Sequence, residues 1–158
     1  MPVYVSDDER ILRAIYSPYH VKNNQLKHQA YDPTPRTDEI SVMRIEHMGP
    51  SLCKGKAKSF ENLAKKKAYK GFAVLRTRTV RASKMDVIDS RDHYSGHADI
   101  KLLMAELYAL EPQEPLSAEL GKRLKDLKES LLKASNYVVD PNPQLAAWRG
   151  DKLEPPRQ

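Results

Sequence analysis

The densest group of side chains able to move protons or hold an ion is "DSRDHYSGHAD", residues 89–99. His93 and His97 stand four apart, a spacing that puts two imidazoles on one face of a helix, and Asp89, Asp92 and Asp99 could complete a tetrahedral or octahedral metal shell. Ser95-Gly96 lies between the histidines and argues for a turn, with a helix beginning near His97. Three accounts therefore stand side by side. One is a turn with capping side chains, which the Ser-Gly pair favours. Another is an anion or acid–base site built on the helix N-terminus with Arg91 and His93. The third is a metal site. The turn is preferred, so no metal and no cofactor is assigned, and the catalytic candidates are His93, His97, Arg91 and Asp89.

A second constellation is electrostatic. From Lys54 to Lys84 the chain carries eleven Lys or Arg against one acid, Glu61. Residues 1–50 hold six basic and seven acidic side chains, residues 51–100 twelve and five, and residues 101–158 nine and nine, so the net +6 resides in the middle third. A localised excess is what a contact surface for a polyanion produces, whereas a solubility bias would be spread along the chain. Lys54, Lys56, Lys58, Lys65, Lys66, Lys70, Arg76 and Arg78 are the candidate phosphate-binding residues. Few aromatic side chains accompany them, so backbone contact is expected rather than base reading.

The third constellation is "YSPYHVKNN" together with Arg13, Arg44 and His47. Arg13, His20 and Arg44 could serve a nucleotide pocket, while Tyr16, Tyr19 and Lys22 place further polar groups on the same loop; the plainer account is a loop packed by its tyrosines. No Gly-rich phosphate loop, Walker lysine or nucleophile elbow occurs. The lone cysteine, Cys53, reads as a bland residue rather than a nucleophile.

The elements that must carry these residues are short. Ser6 and Glu9 have capping-box spacing and predict a helix over 7–16. Residues 39–46 read as a strand, Ser59 to Lys70 as a helix closed by Gly71, and residues 72–80 and 85–89 as strands. Ile100, Leu103, Met104, Leu107 and Leu110, then Leu120, Leu124, Leu127 and Leu131, recur at helical spacing and predict an αα-hairpin. The expected class is α+β: a small, mainly antiparallel sheet covered by helices, with a C-terminal αα-hairpin and an extended tail. One mixed domain spans 1–139, and the proline-rich residues 140–158 form an extended or disordered tail that contributes little to folding.

A chain of 158 residues, 40% hydrophobic and 30% charged, can bury a core without staples, and no apolar run approaches the length of a membrane span. The acidic N-terminal residues lack the pattern of a secretory signal, so a cytoplasmic location is expected. The leading functional expectation is a protein that binds nucleic acid or an acidic protein, and no membrane, through residues 54–84. An enzyme acting on RNA, a nucleotide or a dinucleotide is the alternative, with His93, His97 and Arg91 at the chemistry and Arg76 and Arg78 on phosphates. A further alternative is an interaction subunit docking through the hairpin and the Trp148 tail.

Overall fold

The computed structural model describes residues 2–157. Its strands are β1 (Arg10–Ser17), β2 (Val21–Lys22), β3 (Gln25–Leu26), β4 (Glu39–Arg44), β5 (Ala68–Arg76), β6 (Asp86–Asp89), β7 (His97–Lys101) and β8 (Asn136–Val139). Helices α1 (Ile45–Met48), α2 (Pro50–Ser59), α3 (Thr77–Ala82) and α4 (Ala118–Ala134) connect or cover them. Six strands form one antiparallel sheet in the order β6-β7-β4-β1-β5-β8, and β2-β3 is a small separate hairpin. The protein is α+β, as composition and patterning imply. No described helix is long and apolar enough to cross a membrane.

Both faces of the sheet are buried. Ile11, Ile15, Ile40, Val42, Ala73, Leu75, Ala98 and Ile100 form one core, against which the α4 leucines Leu120, Leu124, Leu127 and Leu131 pack. Leu12, Ala14, Tyr16, Met43, Phe72, Val74 and Val138 form the other, with Cys53 and Ala57 of α2 and, from the tail, Leu153 and Trp148. Successive residues of a strand point to opposite faces, so a central strand covered on both sides becomes a continuous apolar run. That is why "ILRAIY" is β1 and not the helix its Ser6–Glu9 spacing predicts. The box contact itself does form: the Ser6 N–H donates to Glu9 Oε2 at 2.7 Å, but it closes a turn that launches a strand.

Four further expectations are corrected. The 59–70 helix is displaced to Pro50–Ser59, where Pro50 occupies the first helical turn and Cys53, Lys54 and Ala57 form the buried stripe. The predicted strand 72–80 begins earlier and ends at Arg76, and Thr77–Ala82 is helical with Val80 buried. Gly71 is no helix cap: it lies inside β5 at φ +151°, and a Cβ there would overlap the Val138 carbonyl of β8. The αα-hairpin loses its first arm, because Ile100 completes β7 and Met104 and Leu107 reach the core through a 3-10 turn at Ala105–Ala109. Only α4 remains, capped by Ser117, whose Oγ accepts the Leu120 N–H at 3.2 Å.

The tail is extended but not peripheral. Trp148 packs on Phe72 with ring centroids 5.8 Å apart, and Leu153 is 2% exposed. The Arg10 guanidinium donates to the Leu153 carbonyl at 2.7 Å, and the Lys58 ammonium to the Pro143 carbonyl. Residues 140–157 thus supply part of the second core's cover, a role the proline count conceals.

Candidate active-site cleft

The site begins with a defect in the sheet. β1 and β4 share only the pairs Ile11↔Arg44 and Leu12↔Met43, after which β1 follows β5 and β4 follows β7. The gap is filled by Arg13, whose guanidinium donates to the Ala30 carbonyl at 2.9 Å and the Ser41 carbonyl at 3.0 Å. No described carboxylate forms an ion pair with it, so its charge remains uncompensated at contact distance. Burial pulls its pKa down, yet a guanidinium stays protonated at any working pH.

Above this gap opens a cleft of about 510 Å³ lined by Arg13, Tyr16 and His20, by Lys56 and Phe60 at the α2 end, by Lys67, and by His93, Tyr94 and His97. The imidazoles come from two directions. His20 follows β1 and receives the Tyr16 N–H on Nδ1 at 3.2 Å. Burial, then the positive charges of Arg13 and Lys67, pull its pKa down to about 3, so it is neutral in ordinary buffers and serves as a hydrogen-bonding group. His93 and His97 come from the β6–β7 turn, closed by Ser90 N–H donating to the His97 carbonyl at 3.0 Å and His97 N–H to the Tyr94 carbonyl at 3.0 Å. Gly96 makes the turn possible at φ +95°, because any Cβ there would overlap the Met48 side chain.

Within the turn the rings pack closely. His93 and His97 have centroids 4.7 Å apart and Tyr94 lies edge-on to His97 at 4.9 Å. Ser90 Oγ is 2.6 Å from His97 Nδ1. Asp99, two residues on and therefore on the same face of β7, is 5% exposed. Burial, with the nearby Glu39 carboxylate adding to it, raises its pKa to about 6 against the lowering influence of Ser90 and His93. His97 is pushed the other way, by burial and by its proximity to His93. The cations are aligned by aromatic faces: Lys56 Nζ stands 4.2 Å from the Tyr94 centroid and Lys67 Nζ 4.5 Å from that of Tyr16.

The structure brings together only part of what the sequence singles out. His93, His97, His20, Arg13 and Lys56 share the cleft. Arg91 is exposed and turned onto Asp89 Oδ1 at 2.8 Å, while Asp89 Oδ2 is held by Arg44 at 2.6 Å. Arg44 is wholly buried and so cannot serve a nucleotide pocket. Lys54 is no surface cation: its ammonium is buried against Asp140 at 2.9 Å. Arg76 donates to the Asp8 carbonyl and Arg78 pairs with the Asp8 carboxylate at 2.6 Å. Both line a wide groove that shares no lining residue with the His93 cleft, which removes them from the proposed chemistry there. Lys65, Lys66 and Lys70 remain exposed, the first two on the loop that leads into Lys67. Cys53 is buried and its thiol pKa is pushed up to about 12, leaving it inert.

Lys67 and Tyr94 escape a reading of the sequence, although Arg13 carries a usable signal: a lone cation inside the apolar run of a central strand has to meet something. No family model, curated protein or solved structure matches this chain.

Proposed function

We propose that the protein is an enzyme acting on a phosphate-containing substrate, a nucleotide or an RNA strand, bound in the Arg13–His97 cleft. One observation carries this reading: Arg13, without a carboxylate partner, opens into the same cleft as the ammonium groups of Lys56 and Lys67 and three imidazoles. Three cations converging on one concave surface suit the equatorial oxygens of a phosphate. Phe60, 47% exposed, and Tyr94 offer flat apolar surface for a base. His93 and His97 line the same cleft, with Asp99 beside them on β7, and the reaction such groups would support is cleavage of a phosphate ester.

A panel of mononucleotides, dinucleotides and single-stranded RNA, assayed by product chromatography, tests the reading. Turnover of at least one member is expected, abolished by His93→Ala. Lys67→Met removes one charge-assisted phosphate contact and should weaken substrate binding about 10- to 100-fold, the equivalent of about 1.5–3 kcal/mol. An inert panel, or full activity in His93→Ala, defeats the proposal.

The exposed Lys65, Lys66 and Lys70 favour the polymeric form of the substrate. If each meets a phosphate of single-stranded RNA, these contacts alone make binding fall roughly 20-fold between 50 and 200 mM salt. Reversing all three to Glu should remove that share of the salt dependence, as read by fluorescence anisotropy, and leave mononucleotide binding unchanged. An unaltered slope would restrict the substrate to small nucleotides.

A further inference from the structure

Glu9, Asp38, Asp89, Asp99 and Asp140 carry buried carboxylates. All but Asp99 are neutralised by a basic side chain: Glu9 and Asp89 by Arg44 at 2.8 and 2.6 Å, Asp38 by Lys101 at 2.9 Å, and Asp140 by Lys54 at 2.9 Å. Asp99 forms no ion pair with a described Lys or Arg. Its neighbours are instead two imidazoles, the Ser90 hydroxyl and the Glu39 carboxylate, and one donor atom from each of His93, His97 and Asp99 falls within 4.8 Å of the others. A buried carboxylate is normally paired or coordinates a cation.

We infer that His93, His97 and Asp99 form a binding site for a first-row divalent transition ion, of which zinc is the best match. Two nitrogens and one carboxylate oxygen are the donors of an open zinc site that keeps a position for water or substrate. Hard cations such as magnesium or calcium prefer an all-oxygen shell, which this cluster does not offer. Tetrahedral donors about 2.1 Å from zinc are about 3.4 Å apart, so the cluster must close slightly. His93 is exposed and can supply that movement by side-chain rotation, while His97 and Asp99 are fixed by burial. Ser90 acts as the outer partner: with Nδ1–H of His97 donating to its Oγ, 2.6 Å away, Nε2 presents its lone pair to the ion. The i, i+4 helical geometry is absent. The β6–β7 turn instead folds His93 back over the start of β7, and the strand alternation sets His97 and Asp99 side by side.

The inference takes its cluster from the proposed active site but is tested without substrate, so the two can fail separately. Chelator-stripped full-length protein is titrated with zinc chloride by calorimetry and by thermal melting, with magnesium chloride as the contrasting ion. One zinc per chain is expected, with a rise in Tm of about 5–10 °C at a hundredfold excess over the dissociation constant, and no response to magnesium. His93→Ala and Asp99→Asn should each weaken zinc binding at least tenfold, and Ser90→Ala roughly 10- to 100-fold. His93 is exposed and Asn is isosteric with Asp, and apo melting temperatures matching the wild type will show that these variants fold. Absence of zinc heat and of a melting shift overturns the site, as does zinc binding of equal strength in His93→Ala and Asp99→Asn.

Discussion

Asp140→Ala is expected to destabilise the protein by about 3–5 kcal/mol, lowering Tm by roughly 6–20 °C. The Lys54 and Asp140 side chains are both 0% exposed and 2.9 Å apart. The Lys54 ammonium also donates to the Asn142 and Ala147 carbonyls at 2.7 and 2.9 Å, and Asp140 accepts from Tyr69 Oη at 2.8 Å and Asn142 N–H at 2.9 Å. Every donor and acceptor is satisfied, and the pair pins the tail across α2. Removing the carboxylate alone strands a buried ammonium. Lys54→Met in the same background removes the stranded charge, and most of the lost stability should return. Asp151→Ala, at an exposed position of the same tail, should stay within about 0.5 kcal/mol. Urea unfolding of the four proteins measures this. A change below about 1 kcal/mol in Asp140→Ala would mean that the tail leaves the sheet in solution.

That pair also shows where a reading of the sequence stops. The α4 stripe is legible because a one-sided helix advertises its period, and β4 and β6 are legible from branched residues. β1 is not, because a strand buried on both faces has no alternation left to read, and the first residues of β5, Ala68 to Gly71, are too few to break the helical spacing that precedes them. A Lys written among ten other basic residues looks like surface, and nothing local distinguishes Lys54, which is buried, from Lys56, which lines the cleft. The difference comes from Asp140, 86 positions away, and only the fold supplies it.

The cleft was half visible for the same reason. His93 and His97 stand out by chemistry, and Arg13 and His20 by proximity to tyrosines, but their convergence depends on β1 and β4 parting after two residue pairs. No residue type announces a splay in a sheet. The charge excess of 54–84 was real in the sequence, yet burial of Lys54 and the ion pairs of Arg78 and Arg81 consume part of it. What remains for a ligand is Lys56 and Lys67 inside the cleft with Lys65, Lys66, Lys70 and Lys84 exposed.

Arg44→Met should be as damaging as the loss of Asp140, and should reach the candidate site. The Arg44 side chain is 0% exposed and grips Glu9 through Nε at 2.9 Å and Nη2 at 2.8 Å, Asp89 through Nη1 at 2.6 Å, and the Pro2 carbonyl at 2.6 Å. His47 Nε2 lies 3.3 Å from Nη2, and Arg91 holds the other oxygen of Asp89. Removing the guanidinium leaves Glu9 without its main partner and Asp89 with Arg91 alone, a loss of about 3–5 kcal/mol. Lysine would not restore it, since one ammonium cannot replace a bidentate fork and a third bond at once. Burial alone would raise the pKa of Glu9 and Asp89, but Arg44 at Glu9, and Arg91 followed by Arg44 at Asp89, outweigh it and hold both below the ordinary carboxylate range. Groups depressed in the folded state stabilise it above their unfolded pKa, near pH 4, and that stability drains as pH falls through the lower folded values. Wild type should therefore lose stability steeply below about pH 4, whereas Arg44→Met, already deprived of the pairing, should show a flatter acid limb in urea titrations between about pH 3 and 7. Asp89 immediately precedes Ser90, the residue bonded to His97, and the Arg44 N–H donates to the Gly96 carbonyl at 2.9 Å. In Arg44→Met the β6–β7 turn thus loses its side-chain anchor, and protection of the His97 amide from hydrogen exchange should fall more than that of amides in α4. Equal loss at both would confine Arg44 to global stability; a variant as stable as wild type, with an unchanged acid limb, would show that the buried network contributes nothing to either.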